Sequence, residues 1–235
     1  MKLVCILAIG DELLNGSTID TNSQWIKEQL RNFNANVVKS IIIPDNQSSI
    51  ISTINSIIDE SFDFLIITGG LGPTHDDITK ESISTLLGKD MYIDSEHVKY
   101  LKSIYPSTYR NKKIDCMIKS QAMLVNSFKP IENNLGTALG MVGKIEDTKL
   151  FVLPGVPLEM RRIFKDYIIP NYLSESSLET FTFRTSGISE SKLYLLLEDI
   201  INENSKLKFS FLPHFYGVNL RMSELEVESS IGQIE

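Results

Sequence analysis

The residues best suited to chemistry lie in one stretch, Ile66 to Glu81, with the sequence IITGGLGPTHDDITKE. Its three glycines and one proline permit backbone conformations that other residues avoid. A glycine-rich turn before a helix leaves backbone N–H groups free, and the helix dipole favours negative charge there by about 0.3–1 kcal/mol. Asp76 and Asp77 stand beside this anion site, which is explained if a divalent cation lies between them and a phosphate. We call residues 69–78 the central loop.

The central loop also has a purely structural interpretation. Glycine-rich turns after strands often only make a corner, and the pattern matches neither GxGxxG nor GxxxxGK[ST]. Aspartate is favoured in the first turn of a helix, so Asp77 could be a helix cap and Asp76 a solvated side chain.

A second acidic turn follows the first strand. Lys2 to Ile9 is an apolar run typical of a buried parallel strand, and residues 10–16, GDELLNG, follow it directly. We call residues 10–16 the first loop. Ligands of parallel sheets bind at the carboxyl ends of the strands, so Asp11 and Glu12 are expected to face the same cleft as Asp76 and Asp77. Glu12 could instead only shape its own turn.

The elements between these loops alternate in type. Apolar spacing predicts strands over Asn36–Ile43 and Phe62–Thr68, and helices over Asn22–Phe33, Gln47–Glu60 and Asp77–Leu87. Thr21 and Gln24 have the spacing of a capping box. This alternation predicts an α/β fold, a mostly parallel sheet sandwiched by helices.

The rest of the chain predicts one more corner and a smaller module. A helical pattern over Asp94–Ser120 is broken at Pro106, and a hairpin over residues 138–153 ends in Pro154-Gly155-Val156-Pro157, with Pro157 suited to the first turn of a helix. After the polar linker Ser174–Ser177 come a strand, a helix with an apolar stripe of Leu193, Leu196, Leu197 and Ile200, and two strands. This piece is either an abbreviated module or a trimmed chain.

Composition limits the classes of partner. The 235 residues include 30 acidic and 23 basic side chains, a net charge of −7, which argues against a broad nucleic-acid or membrane surface. There is no apolar run of the ~18–20 residues that a membrane helix needs. With two cysteines, no CxxC and no signal peptide, we expect a cytoplasmic protein.

Four segments together resemble the CinA family (competence/damage-inducible protein A). They are Gly10–Leu14 with Asn22, Thr68–Thr79, Asn133–Gly140 and Leu153–Met160. Their order matches the family's N-terminal domain, which is similar in fold to the molybdopterin-binding MogA and MoeA proteins. The resemblance implies a molybdopterin-binding-like domain over 1–173 and a small KH-like α+β module over 178–235.

The resemblance also implies an activity. The family's N-terminal domain is similar to a metal-dependent pyrophosphatase that splits ADP-ribose into AMP and ribose 5-phosphate. The family's nicotinamide mononucleotide deamidase domain has no counterpart in this sequence, so we do not expect that activity. The alternatives are a molybdopterin-binding or adenylyl-transfer module and a non-catalytic nucleotide sensor. We expect a small nucleotide ligand, a divalent metal such as Mg²⁺, no nucleic acid, no membrane and a homo-oligomer.

The resemblance and the residues together give a list of candidates. The catalytic candidates are Asp77, Glu12 and Asp76, and the candidate metal ligands are Asp77 and Asp11. The candidate substrate-binding residues are Gly69, Gly70, Gly72, Thr74, Asn22, His75, Lys80, Gly136, Thr137, Gly155 and Pro157. Asn22 could instead cap its helix, His75 could be a solvent-exposed loop histidine, and Lys80 could be a surface lysine.

The sequence departs from the family pattern at three places. Many family members have Thr where this chain has Asp11, and the family's NPVGTAPG is NNLGTALG here, which removes two prolines from one predicted wall of the site. The KH-like piece has Gly187-Ile188-Ser189-Glu190 in place of GxxG, so it is not expected to clamp nucleic acid.

Overall fold

In the computed structural model the chain is described over residues 1–105, 111–175 and 180–224. The predicted break at Pro106, the end of the predicted linker and the chain after residue 224 lie outside the described residues. The chain divides into two compact units, Met1–Glu175 and Ser176–Glu235.

The larger unit contains the elements that carry the candidate site. Its strands are β1 (Lys2–Ile9), β2 (Ala35–Ile43), β3 (Phe64–Thr68), β4 (Met91–Ile93), β5 (Met123–Val125), β6 (Lys129–Ile131), β7 (Gly140–Ile145) and β8 (Thr148–Leu153). Its helices are α1 (Asp11–Leu14), α2 (Thr21–Leu30), α3 (Gln47–Asp59), α4 (Thr79–Leu87), α5 (Ser95–Ile104), α6 (Lys112–Gln121), α7 (Pro157–Ile163) and α8 (Ile169–Tyr172), the last two joined by a π-helical turn over Phe164–Ile168.

The main sheet is mostly parallel, as predicted. Its strand order is β2-β1-β3-β8-β7-β6; the first four strands are mutually parallel and the last two are antiparallel to their neighbours. In the register, Ile9 pairs with Ile43, Ala8 with Thr68, and Thr68 with Leu153. The loops after β1, β2, β3 and β8 therefore leave from one edge of the sheet.

Helices cover both faces of this sheet because every central strand is apolar on both sides. In β1, Cys5, Leu7 and Ile9 enter one core together with the isoleucines of α3. Val4 and Ile6 enter a second core with Ile26 of α2 and Met160 of α7. A strand buried on both faces has an unbroken apolar sequence, which is the pattern that predicted it.

Three boundaries differ from the predictions by two or more residues: strand β3 begins at Phe64 rather than Phe62, and the other two belong to helices. Helix α2 ends at Leu30, because the chain turns there to begin β2, and helix α4 begins at Thr79, two residues later than predicted. Gly88 ends α4 in the left-handed conformation, with φ of 58°. The antiparallel pair β4–β5 has three residues in each strand, too few for periodicity to reveal.

The smaller unit is an α+β piece. Its strands β9 (Thr180–Arg184), β10 (Leu207–His214) and β11 (Gly217–Glu224) form an antiparallel sheet in the order β10-β11-β9, beside helix α9 (Glu190–Glu203). Leu193 packs on Val218 and Leu220. The predicted stripe is wrong at Leu196 and Ile200, whose side chains are exposed, because three strands cover only a narrow strip of the helix. Within the described ranges, no helix is long and apolar enough to cross a membrane.

Candidate functional site

A cavity of about 740 Å³ opens at the edge of the sheet where the parallel strands end. This volume lies within the ~300–1,000 Å³ typical of small-molecule sites. Both acidic loops and the Pro154–Pro157 corner contribute to it. Its lining includes Gly10, Asp11, Glu12, Asn22, Asp45, Gly69, Gly70, Leu71, Gly72, Thr74, Asp76, Asp77, Gln121, Thr137, Gly155, Pro157 and Glu159.

Two glycines let the central loop pack against the rest of the fold. Gly69 and Gly70 have φ of 103° and 65°, conformations that favour glycine. A Cβ at Gly69 would lie 2.2 Å from the backbone oxygen of Ile9, and one at Gly70 would lie 2.1 Å from Oγ1 of Thr79. Thr79 in turn donates to the Gly69 carbonyl at 3.0 Å. The glycines are therefore required by the protein's own packing, whatever ligand the loop binds.

Asp77 closes the central loop on itself. Its Oδ2 accepts hydrogen bonds from the backbone N–H of Thr74 at 2.8 Å and from the Thr74 hydroxyl at 2.5 Å. The residue before the first turn of α4 is Ile78, and no side chain caps the helix. The helix-cap interpretation of Asp77 is therefore wrong: its carboxylate holds the loop and faces the cavity.

Asp76 and His75, which precede Asp77 in the central loop, form an exposed pair. His75 Nε2 lies 3.1 Å from Asp76 Oδ1, and the His75 side chain is 92% exposed. Asp76 lines the cavity, whereas His75 does not. The solvent-exposed interpretation therefore fits His75 better than a role in binding substrate.

The first loop adds two more carboxylates. Asp11 and Glu12 lie on the four-residue helix α1, which has no buried residue, and the Glu12 carboxylate sits over Gly10, where a Cβ would be 2.5 Å away. The backbone N–H of Asp11 donates to Asp45 Oδ2 at 2.9 Å. The Glu12 side chain therefore lies against Gly10, and Glu12 lines the cavity.

Asp45 is a cavity residue that the sequence reasoning missed. Burial raises the pKa of its carboxyl; the Asp11 N–H lowers it, and the charges of Glu12, Asp11 and Asp77 raise it further. The signal was available, because Asp45 follows the end of β2 just as the other acids follow the ends of β1 and β3. Asp45 thus forms a group of four mutually repelling carboxylates in the cavity, together with Asp11, Glu12 and Asp77.

Lys80 is neither a phosphate ligand nor a surface residue. Its side chain is 2% exposed, and its Nζ donates to the backbone oxygens of Ser120 and Gln121 at 3.1 and 3.2 Å. Burial lowers the pKa of Lys80 to about 8. The prediction that it binds substrate is wrong, because its amine is used to fix the end of α6 to α4.

Asn22 ties helix α2 to the opposite wall. The cap of α2 is Asp20, which accepts from the N–H of Ser23 at 2.9 Å, so neither the Thr21 capping box nor an Asn22 cap forms. Asn22 Nδ2 instead donates to the Gly155 carbonyl at 2.7 Å. This bond fixes Asn22 beside the Pro154–Pro157 corner, where Pro157 starts α7 as predicted.

The third wall is the segment Asn133–Ala138. Asn133 holds it as a turn, since its Oδ1 accepts from the N–H groups of Leu135 and Gly136 and its Nδ2 donates to Glu159 at 2.5 Å. Gly136 leaves room for the Glu159 carboxylate, from which a Cβ would be about 2.1 Å. Gly136 thus supports the wall, whereas Glu159, missed by the sequence reasoning, lines the cavity.

Thr137 joins this wall to helices α5 and α6. Gln121 Nε2 donates to the Thr137 hydroxyl at 2.7 Å, and His97 Nε2 lies 2.8 Å from the Thr137 carbonyl. A carbonyl only accepts, so His97 carries its proton on Nε2. Burial lowers the pKa of His97, which keeps the ring neutral. Gln121 is a further lining residue that was not among the predicted site residues.

The predicted metal can be tested against this set of donors. Within the described parts of the chain, no three His, Cys, Asp or Glu side chains are arranged to hold an ion by themselves. Mg²⁺ is usually bound by one or two carboxylates together with substrate phosphates. The crowding of carboxylates around Asp45 fits such a shared ion, for which Asp11 and Asp77 remain the predicted protein ligands.

Comparison with known proteins agrees with this fold. Residues 5–173 match the family model MoCF_biosynth, described as a probable molybdopterin binding domain. A CinA-like protein of Citrifermentans bemidjiense is 33% identical over 227 residues, 92% of this chain and 52% of that protein. Protein PH0439 of Pyrococcus horikoshii is 32% identical over 222 residues, 92% of this chain and 86% of that protein. The chain spans about half the length of the first CinA-like relatives it matches.

A solved structure shows the same fold. CinA from Thermoplasma acidophilum, a protein described as having unknown function, superposes with a TM-score of 0.63 at 31% identity, covering 70% of this chain and 94% of that one. The family model covers more than half of the chain, and relatives above 30% identity extend along most of it. The protein therefore belongs to the CinA family, and residues 5–173 match that family's molybdopterin-binding-like domain.

Proposed function

We propose that the protein hydrolyses a nucleotide diphosphate sugar with the help of a divalent metal, with ADP-ribose as the first candidate substrate. One observation carries the proposal: an anion cradle and several carboxylates share one cavity. Gly70, Leu71 and Gly72 line it, and their backbone N–H groups have no acceptor among the described residues. They precede helix α4, whose N-terminus favours an anion.

These N–H groups would bind the oxygens of the diphosphate. Three neighbouring donors on a loop fixed by Gly69, Thr79 and Asp77 need little reorganisation when charge develops in the transition state.

Asp77 is the proposed base. Its Oδ2 is used by Thr74, which fixes the carboxylate and leaves Oδ1 to orient a water or to contact a cation. A divalent ion held by Asp77 and Asp11 would offset the charge of the diphosphate when bound. Water attacks one phosphorus, the bridging P–O bond breaks, and the water's proton passes to the carboxylate. The products are AMP and ribose 5-phosphate.

A product assay tests this proposal. The purified protein is incubated with ADP-ribose and Mg²⁺, Mn²⁺ or Co²⁺, with EDTA as the control. We expect AMP and ribose 5-phosphate in equal amounts with at least one ion and none with EDTA. Absence of product with every ion, in a protein that is folded, would contradict the hydrolase proposal.

The family description supports a second candidate, a module that binds molybdopterin. A pterin phosphate could use the same N–H groups without any hydrolysis. Thermal unfolding with ADP-ribose, with molybdopterin and with neither separates the candidates. A shift with molybdopterin alone would favour the second candidate, and a shift with ADP-ribose without turnover would favour a nucleotide sensor.

A further inference from the structure

Strand β9 leaves an apolar surface uncovered at one edge of the smaller unit's sheet. Its Phe181 and Phe183 are 52% and 53% exposed. They lie opposite Met222 and Leu220 of β11, and residues directly opposite in an antiparallel pair share one face of the sheet. Leu220 and Met222 belong to the cluster around Leu193 of α9. The two phenylalanines therefore lie on the face that α9 occupies, but α9 does not cover them.

Helix α9 lies over the other two strands of this sheet. The Tyr194 ring is 5.9 Å from the ring of Phe211 on β10, measured between centroids. A helix turns by about 100° per residue, so Leu196 and Ile200 lie on the opposite flank, toward β9. Both are exposed, by 66% and 49%. Large apolar side chains exposed together mark an interaction site. We call these two residues and the two phenylalanines the β9 surface.

The backbone of β9 is unpaired on its outer side among the described strands, because the sheet order is β10-β11-β9. The Thr185 N–H donates to the Val218 carbonyl at 3.1 Å. Hydrogen-bonded positions alternate along an antiparallel strand, so Thr182 and Arg184 direct their N–H and C=O groups outward. The opposite edge strand, β10, contains lysine and proline, which discourage pairing between edges, whereas β9 contains neither.

A surface of this kind can pair with a copy of itself about a twofold axis. We propose that the β9 surface joins two copies of this chain, with β9 antiparallel to the partner's β9 and the twofold axis at Thr182. This register places Phe181 opposite the partner's Phe183, in a position where paired aromatic rings are favourable. It also pairs the outward backbone groups of Thr182 with those of the partner's Thr182. Arg184 then lies opposite the partner's Thr180, so the two arginines do not face each other.

The proposed interface is small and independent of the proposed function. It consists of one pair of five-residue strands and two half-exposed aromatic rings from each copy. Interfaces below about 1,200 Å² are typical of weak complexes. We therefore expect a dimer dissociation constant of roughly 1–100 μM.

Disulfide cross-linking of the full chain tests the register. Thr182→Cys is made in a Cys116→Ser background, which leaves only the buried Cys5. In the proposed dimer the two Cα atoms at position 182 are about 5.5 Å apart, so oxidation should give a covalent dimer on a non-reducing gel. Arg184→Cys in the same background is the matched control. Position 184 is also exposed and on the same face of β9, but its two copies would be about 13 Å apart and should not cross-link.

Sedimentation equilibrium tests the strength of the interface. Thr182→Pro removes an N–H that the smaller unit does not use, and proline is tolerated in an edge strand where the N–H side faces solvent. The dissociation constant should rise by about tenfold or more, whereas Thr182→Ser should leave it unchanged. Phe183→Lys keeps the backbone intact and should weaken the dimer as much, so the test remains valid if Thr182→Pro fails to fold.

Three results would overturn the inference. They are a wild type that stays monomeric well above the expected dissociation constant, a dimer that neither Thr182→Pro nor Phe183→Lys weakens, and cross-linking of Arg184→Cys as readily as Thr182→Cys. A monomeric wild type would mean that residues 225–235 or a different protein cover the β9 surface. None of these results bears on the turnover of ADP-ribose, so the hydrolase proposal is tested separately.

Discussion

The two acidic loops of the cavity begin alike in sequence and differ in structure. Each follows a buried parallel strand, and each combines glycine with two neighbouring acids. The central loop is fastened on every side: Gly69 packs on the backbone of β1, Asp77 bonds Thr74, and α4 begins with the buried Thr79 and Lys80. The first loop leads into α1, which has no buried residue.

This difference assigns a separate task to each loop. A loop whose hydrogen bonds are already made can hold N–H groups in place for an anion, because binding then needs little reorganisation. The exposed carboxylates of Asp11 and Glu12 are less constrained, so they are suited to following a cation or a water. We expect substitutions in the central loop to have larger effects than equivalent ones in the first loop.

The largest expected effect is that of Asp77→Asn on catalysis. Asparagine keeps the size of the side chain and can still accept the Thr74 N–H, so the loop should survive. It loses the charge that matters most as charge shifts in the transition state. Turnover of ADP-ribose should fall by about 100-fold or more, while the dissociation constant changes by less than about tenfold, or ~1.4 kcal/mol.

Asp76→Asn is the control for that experiment. Asp76 is exposed and pairs with His75, so its loss should be milder. A folded Asp77→Asn protein that turns over at near the wild-type rate would refute the assignment of the base. The first loop would then supply it, with Glu12 as the next residue to replace.

A pair of glycine substitutions compares the rigidity of the loops. In Gly69→Ala a Cβ would lie 2.2 Å from the Ile9 carbonyl at φ of 103°, so the free energy of unfolding should fall by about 3 kcal/mol. In Gly16→Ala the φ of 79° is also unfavourable, but no atom lies within 4 Å, so the loss should be about 1 kcal/mol. Urea unfolding measures both. Equal losses would remove the distinction between the loops.

The buried lysine behind the central loop predicts a pH dependence of stability. Burial lowers the pKa of Lys80 from 10.5 to about 8, although Glu81 and Asp77 oppose the shift. Between these values the unfolded chain binds more protons than the folded one, so the free energy of unfolding should rise with pH, on the order of 1–3 kcal/mol in all.

A Lys80→Met variant isolates this contribution. Burial raises the pKa of Cys5 to about 11, which lowers stability as the pH rises above 9 in both proteins. The difference between wild type and Lys80→Met cancels that effect. It should move in favour of the wild type from about pH 7.5 to 10.5. A difference that stays constant would show that Lys80 is not buried as a titrating amine.

The smallest expected effect is that of Asp45→Asn. Asparagine can still accept the Asp11 N–H, and it removes one of four crowded carboxylates. In EDTA the free energy of unfolding should rise by less than about 1 kcal/mol, because a partly buried like charge is lost. Added Mg²⁺ should stabilise the wild type more than the variant. If Mg²⁺ has no effect on either protein, the proposed cation does not bind without a ligand.

The sequence by itself determined the sheet, its helices and the place of the site. The unbroken apolar runs of β1 and β3 and the regularly spaced isoleucines of α3 fixed these elements to within two residues. Such patterns are local, because a strand buried on both faces must be apolar throughout. Acids and glycines directly after the strands then indicated the edge of the sheet where the cavity lies.

The resemblance to CinA also came from sequence, since four motifs in order are far more specific than one. It could not reveal the hydrogen bonds of single side chains. Asp77 has the sequence position of a helix-start residue, yet in the structure its carboxylate bonds Thr74. Whether the Asp77 carboxylate caps the helix or bonds Thr74 depends on where the helix begins. The capping position of α4 is Ile78, one residue after Asp77, so Asp77 bonds Thr74 instead.

Only the tertiary structure decided which distant residues share the site. Lys80 is charged and lies in the first turn of a helix, so its sequence suggests a surface residue; its amine is buried because the end of α6, 40 residues away, supplies carbonyls for it. Gln121 and Glu159 line the cavity and are hydrogen-bonded to Thr137 and Asn133 of the 133–138 turn. No local sequence pattern connects either residue to that turn. Hydrophobic periodicity shows which face of a helix or strand is buried. Hydrogen bonds between elements depend instead on where those elements finally lie, and it is these final positions that placed Gln121 and Glu159 in the wall of the cavity.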